Sequence, residues 1–397
     1  MKLNHIIIMY SKIISLDLSN RDINLYNYHH YITENYRNKD LIQHLDLYHN
    51  NIDDSCISHI LEILSSFSNL HSINLGWNIL GHHSIYLLTN WLPNTNIKEL
   101  ILENNKLIWN DMELIAYTLY HLDSININSC LIDDNSLDIF TNCINNNNYK
   151  IKELSIGGNL FGDSIISFLS SIVHLSLLTK LSIFNSNLHL YITHLCQLIE
   201  TNNTITYLDI SNNRFIKDDI LAISNSLQKN NKITNLIIDN TIPNSILPIL
   251  DTNITELELT KSYPNFITNP EFIVFSNKLN RKNTIKVLSI SNNKLLDDNS
   301  NIFHLIINNQ SINYLHISNL SYFITSMIQN VLYLNSLVDF PPHIHFTTFS
   351  LSLRKLIYSS IIILYQYVSC DIILDAITYI KDLYIIQKKY QICRENS

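Results

Sequence analysis

The sequence predicts an α/β solenoid in which a parallel β-sheet lines a concave side and helices cover a convex one. Three observations carry that expectation. A strand-like phrase, apolar-x-apolar-x-x-Asn-x-apolar, returns about every 27 residues from near the N-terminus to about residue 322. Its Asn occupies the same place in six of the twelve copies, with Cys, Ser or Thr there in four more. The segments between copies space their apolar residues as helices do. A chain of 397 residues would ordinarily suggest several domains, but in a repeat array each unit packs only on its neighbours.

The strands come first. The cleanest copies are Leu45 to Ile52, Leu100 to Leu107 and Leu208 to Phe215. Taking the second apolar anchor of each strand as a marker gives Leu16, Leu45, Ile73, Leu100, Ile125, Leu154, Leu181, Leu208, Leu236, Leu257, Leu288 and Leu315, about 12 repeats. The step from Leu236 to Leu257 is short and the next is long. Repeat nine is therefore trimmed, and repeat ten carries an insertion containing Tyr263-Pro264 and Asn269-Pro270.

The turns come next. Five residues past each marker stand Asn50, Asn78, Asn105, Cys130, Asn159, Ser186, Asn213, Thr241, Ser262 and Asn293. A buried turn must satisfy its backbone N–H and C=O groups, and a stacked column of Asn side chains does so, with Cys, Ser or Thr as partial substitutes. The first copy departs with Arg21 and the last with Leu320, as terminal repeats do.

Between strands, Ile57, Ile60, Leu61 and Leu64 share one helical face, as do Ile192, Leu195, Cys196 and Ile199, and Ile220, Ile223 and Leu227. Acidic doublets at Asp53-Asp54, Asp133-Asp134, Asp218-Asp219 and Asp297-Asp298, with Gly162-Asp163 related, fall ahead of these helices. Asp at that place caps a helix N-terminus and complements its dipole.

The phrase resembles the leucine-rich repeat consensus, and a unit of this length with a full helix resembles the ribonuclease-inhibitor-like (RNI-like) subclass, shared by RanGAP-like proteins and the sensor arms of NOD-like receptors. The resemblance covers roughly residues 13 to 322. It implies a horseshoe solenoid and a recognition surface, and it does not fix an activity. The expected organisation is an N-terminal lead-in over 1–12, the solenoid over 13–330 and a helical C-terminal cap over 331–397. Leu356 to Cys370 is uncharged but shorter than the roughly 20 residues that span a bilayer, so a cap over the open core is expected rather than a membrane segment.

Composition narrows the function. Net charge is -8 and no Lys/Arg run reaches five residues, which argues against a nucleic-acid footprint. Cys56, Cys130, Cys143, Cys196, Cys370 and Cys393 form neither a CxxC pair nor a disulfide framework, so reduced thiols in a cytoplasmic or nuclear protein are expected. Ile6 to Met9 is too short for a secretory core. His29-His30, His82-His83 and His343-x-His345 lack the further ligands a metal site needs. Gly157-Gly158 is a lone doublet, and no phosphate loop, nucleophile elbow or kinase signature occurs. The expectation is a monomer without catalytic residues, cofactor or metal.

The remaining constellation is the concave face. Residues flanking the anchors point away from the core, and they include Asp17, Asp46, Tyr48, Trp77, Glu99, Glu103, Glu153, Phe184, Tyr207, Asp209, Asp239, Glu256, Glu258 and Tyr314, with few bases beyond Lys180 and Lys261. Acidic side chains studded with aromatics suit a basic protein partner, the aromatics as anchors and the carboxylates steering encounter. Trp77, Glu99, Glu103 and Glu153 form the densest patch. The expected function is a non-enzymatic interaction scaffold. Alternatives are a RanGAP-like GTPase activator (the family's acidic tail is missing), an adaptor of ubiquitin-ligase or immune-sensor type, and an effector acting in a host.

Overall fold

A computed structural model describes residues 7–10, 13–33, 36–240, 244–262, 266, 270–281, 284–290, 305, 309 and 311–317. Thr241, Asn293, Asp297-Asp298, the His343-x-His345 pair and the expected cap over 331–397 lie outside the described residues. The chain divides into two compact units, Met1–Ser262 and Tyr263–Ser397. The division falls at the start of the repeat-ten insertion.

In the first unit the strands are β1 (Ile7–Tyr10), β2 (Ile13–Asp17), β3 (Ile42–Asp46), β4 (Ser72–Asn74), β5 (Glu99–Ile101), β6 (Ser124–Asn126), β7 (Glu153–Ser155), β8 (Lys180–Ser182), β9 (Tyr207–Asp209), β10 (Asn235–Asp239) and β11 (Glu256–Thr260). From β2 onward they are parallel and lie in chain order, and each marker pairs with the next, Leu16 with Leu45 through to Leu236 with Leu257. The lead-in is itself a strand: β1 runs antiparallel to β2 and covers the edge that β2 would otherwise leave unpaired. In the second unit β12 (Val287–Ile290) pairs parallel with β13 (Tyr314–Ile317), Leu288 opposite Leu315.

Burial fixes this register. Every marker is at most 2 % exposed. The anchors two residues later (Leu18, Leu47, Leu75, Leu102, Ile127, Ile156, Ile183, Ile210, Ile238 and Leu259) and three residues earlier (Leu70, Ile97, Leu122, Ile151, Leu178, Ile205, Ile233 and Ile254 among them) are buried too. A slip of one residue would turn this set outward and forfeit about 2 kcal/mol or more per side chain.

The helices are α1 (Tyr28–Thr33), α2 (Ile57–Leu64), α3 (His82–Trp91), α4 (Trp109–Thr118), α5 (Asp134–Asn146), α6 (Ser164–Ser171), α7 (Ile192–Thr201) and α8 (Lys217–Lys229) in the first unit and α9 (Pro270–Arg281) in the second. Ile57, Ile60, Leu61 and Leu64 form the buried face of α2, and Ile220, Ile223 and Leu227 lie on that of α8. The core face of α7 differs from the sequence expectation: Leu195, Leu198 and Ile199 are buried, while Ile192 and Cys196 turn to its edge and line a groove against α8. Trimming removed the helix of repeat nine, where a 3-10 segment, Leu247–Asp251, takes its place. The insertion contributes Phe266, which meets Phe272 and Phe275 of α9 at ring-centroid distances of 5.3 and 5.4 Å. Among the described residues no helix is long and apolar enough to cross a membrane.

Candidate functional site: the open face of the sheet

The turns that frame this face are held by the Asn column. The amide of Asn50 donates to Leu18 O of the preceding repeat and Leu47 O of its own, at 3.1 and 2.9 Å, while its Oδ1 accepts from the N–H groups of Arg21 and Ile23. Asn78, Asn105, Asn159 and Asn213 repeat this bridge, each joining two neighbouring repeats. Cys130 donates its thiol to Leu102 O, and in place of a side-chain acceptor its own carbonyl takes the Leu107 N–H. Among the described residues, the hydroxyls of Ser186 and Ser262 each donate to a nearby carbonyl. This column, with its flanking apolar columns, decides the class. The fold is a leucine-rich repeat solenoid.

One residue before the column position the solenoid turns through left-handed backbone, with φ near +55° at Asn20, Asn104 and Asn212 and +71° at Gly158. Asn and Gly tolerate that conformation. Two aromatic residues occupy it as well, His49 and Trp77, both at φ 53°. Trp77 therefore belongs to the turn after β4, and the strand-flanking position expected from sequence is corrected.

The acidic positions prove unequal. Asp17, Asp46 and Asp209, like Asn74 and Asn126, stand one residue after their markers and accept the backbone N–H two residues on, closing each strand with an Asx turn. Asp209 also takes the Ser182 hydroxyl at 2.9 Å. Asp239 departs from the solvent-facing expectation altogether. It is 6 % exposed, accepting from the Asn212 N–H and the Thr260 hydroxyl. Glu103 accepts from Asn126, Glu256 from Asn235, and Glu153 pairs with Lys180 at 2.7 Å. Glu99 and Glu258, both partly buried, flank the markers of β5 and β11 on the open face. At the positions one before, one after and three after the markers of the first unit, Lys180 is the lone Lys or Arg among the described residues.

Acidic side chains gather around aromatic ones at two places, a three-ring cluster and Tyr207. Near the N-terminus, Tyr48, His49 and Trp77 place their ring centroids 6.0 to 6.3 Å apart. Burial, then the Glu103 and Asp46 carboxylates, push the Tyr48 phenol up. Asp46 is pushed up chiefly by its own burial, with Asp17 adding to it. The second place is Tyr207, whose phenol is pushed up to about 12 by burial and by the charges of Asp209, Glu258 and Glu153. Phe184 packs across Gly157-Gly158 of the preceding repeat, where a Cβ on Gly157 would lie 2.5 Å from its ring and 2.6 Å from its backbone nitrogen. The doublet is thus a seat for an aromatic side chain. The patch expected from sequence is accordingly divided: Glu103 and Trp77 belong with the three-ring cluster, and Glu153 with Tyr207.

Within the acidic doublets, some carboxylates cap their own helices and others tie one repeat to the next. Asp133 caps its own helix, accepting from the Ser136 N–H at 2.9 Å, whereas Asp54 and Asp134 reach forward to the next repeat. Asp54 accepts from the N–H groups of Gly81 and Ser84 at the start of α3, and Asp134 from those of Gly162 and Ser164 at the start of α6. Of the third doublet, Asp219 accepts from the Ile216 N–H at the start of its own helix. The Ser136 hydroxyl and N–H hold the Asp133 carboxyl below its ordinary value, and for Asp54 the bonds from Ser84 and Gly81 outweigh the upward push of burial. A depressed folded-state pKa gives stability that is complete above the ordinary value of 3.8 and is lost as pH falls through the folded one. The unfolding midpoint should therefore drop as pH is lowered from about 5 towards 3. Asp54→Asn/Asp133→Asn, which keeps acceptors without the charge, should flatten that dependence. A gap between wild type and variant that stays constant across the range would remove these caps as its source.

His82 Nδ1 lies 2.6 Å from Oδ1 of the fully buried Asp111, whose other oxygen accepts from the Ile108 N–H. Among the described residues no group of three or more His, Cys, Asp or Glu could hold a metal ion.

No family model and no curated protein matches this chain. Solved structures similar in fold include the leucine-rich repeat-containing protein LegL7 from Legionella pneumophila, 14 % identical with a TM-score of 0.45, the match covering 73 % of this chain and 88 % of that one. A TLR13–ssRNA13 complex matches at 18 % identity and a TM-score of 0.38, over 70 % of this chain and 39 % of that chain.

Proposed function

We propose that this protein is a non-enzymatic interaction scaffold of the RNI-like type, whose open, concave sheet face binds a basic protein partner. The observation that carries this reading is the near absence of cations from the strand-flanking columns, where carboxylates surround the Tyr48-His49-Trp77 cluster and Tyr207. Aromatic anchors with carboxylates around them favour a partner rich in Arg and Lys, and the same charge disfavours a phosphate backbone. A cytoplasmic or nuclear setting fits the thiols. Cys56, Cys130, Cys143 and Cys196 are free, and burial pushes the first two up to about 11 and about 12.

The test compares affinity capture by wild type with that by Glu99→Lys/Glu103→Lys/Glu153→Lys, after equal thermal stability of the two has been established. A basic protein held by the wild type, released as salt rises and missing from the variant, is the expected result. A protein retained equally by both would move the binding surface off this face.

A further inference from the structure

Building on the basic-partner reading and resting on it, we infer that Tyr48, His49 and Trp77, with Asp46 and Glu103, form a receptor for an arginine side chain. The arginine would be presented by an extended basic segment of the partner.

The first ground is a local preference broken at the turn. The left-handed position holds Asn20, Asn104, Asn185 and Asn212, with Gly158, Ser129 and Lys261 in other repeats. In the adjacent repeats two and three it holds His49 and Trp77. His is tolerated at positive φ, but a residue as bulky as Trp is an outlier there. Strained backbone of this kind collects at functional sites. The second ground is exposure. Trp77 is 46 % exposed, so its ring is not committed to core packing.

The third ground is charge and shape. The backbone N–H of Trp77 donates to Glu103 O at 2.8 Å, and the Glu103 side chain lies over Gly76, where a Cβ would meet its Cγ at 2.9 Å. This carboxylate thus stands beside the aromatic group, and it and Asp46 both act on the Tyr48 phenol. On the turn side a cavity of about 420 Å³ adjoins the rings, lined by Asp22, His49, Trp77, Ile79 and Asn104 among others. A neutral ligand such as a sugar would stack on these rings but gain no ionic attraction from the carboxylates. A planar guanidinium uses both, stacking on the indole while its N–H fork meets a carboxylate. Lys106 lines the neighbouring cavity beyond Asn104 and bounds the acidic region on that side.

The experiment is a titration of the full chain against a fluorescein-labelled peptide of alternating Arg and Gly, read by anisotropy, for wild type, Trp77→Asn and Glu153→Lys/Glu258→Lys. Asn suits the turn, so Trp77→Asn should unfold at the same or a higher temperature than wild type while binding the peptide about tenfold more weakly. That pairing of lost affinity with undiminished stability is what a merely structural tryptophan would not give. Binding weakened by Glu153→Lys/Glu258→Lys but unchanged by Trp77→Asn would overturn this site and leave the acidic-face reading standing. No binding to the wild type would overturn both. Cellohexaose that binds, and is lost on Trp77→Asn where the peptide is not, would replace arginine as the ligand class.

Discussion

Leu208→Asp should abolish cooperative unfolding of the central repeats. Leu208 is 1 % exposed in β9, flanked in register by Leu181 and Leu236 of the adjoining strands. The substitution forfeits about 2 to 3 kcal/mol of apolar burial. The new carboxyl has no partner there, and holding it neutral at pH 7 costs about 4 kcal/mol more. The sum, about 6 to 7 kcal/mol, rivals the whole stability of an ordinary domain. Because each repeat contacts only its neighbours, the loss would spread from β9 into the flanking units. Glu99→Lys is the matched control, a partly buried side chain on the open face whose replacement should move stability by no more than about 0.5 kcal/mol. Thermal unfolding followed by far-UV circular dichroism separates them, and a wild-type midpoint for Leu208→Asp would refute the inside–outside assignment.

The strands and the Asn column are legible in the sequence because both are written in the period. A buried position in a parallel ladder admits few residues, so the repeat displays it in every copy. Contact between repeats lies outside the reach of that reasoning. That Asp54 caps α3, or that Gly157 makes room for Phe184, depends on which residue stands beside it in the next unit. Such neighbours are about 27 residues away in sequence and obey no local pattern. The acidic face is less free than alternation implies for a related reason. Asp46 and Asp209 look outward in the strand alternation, yet each commits an oxygen to closing its own turn, and Asp239 is buried between two repeats. Alternation assigns a face and is silent about hydrogen bonds.

A second periodic signal runs beside the column. Asn20, Asn104, Asn185 and Asn212 stand one residue before it, and with Gly158 they spell a left-handed position. Set in that series, His49 and Trp77 are exceptions. Strand alternation alone counts Trp77 among the flanking residues and says nothing of His49, so the aromatic cluster that they form with Tyr48 emerges only from the backbone geometry.

Asn213→Ala should be strongly destabilising for a polar substitution. Its side chain is 0 % exposed. It accepts from Ser186 N at 2.7 Å and Leu188 N at 3.1 Å and donates to Ile183 O and Ile210 O at 3.0 and 2.9 Å. Alanine would strand two buried N–H groups at about 1 to 3 kcal/mol each, so a loss on the order of 3 to 5 kcal/mol is expected. Repeat seven is ill placed to absorb it, because its own column residue is Ser186, whose hydroxyl donates to Phe184 O. Asn146→Ala, on the exposed side of α5, should by contrast change stability by about 0.5 kcal/mol or less. Hydrogen exchange adds a local readout, since the Ser186 and Leu188 amides should lose protection before those of distant repeats. A loss below about 1 kcal/mol with protection unchanged at both amides would mean that the turns are held by the strands and helices alone.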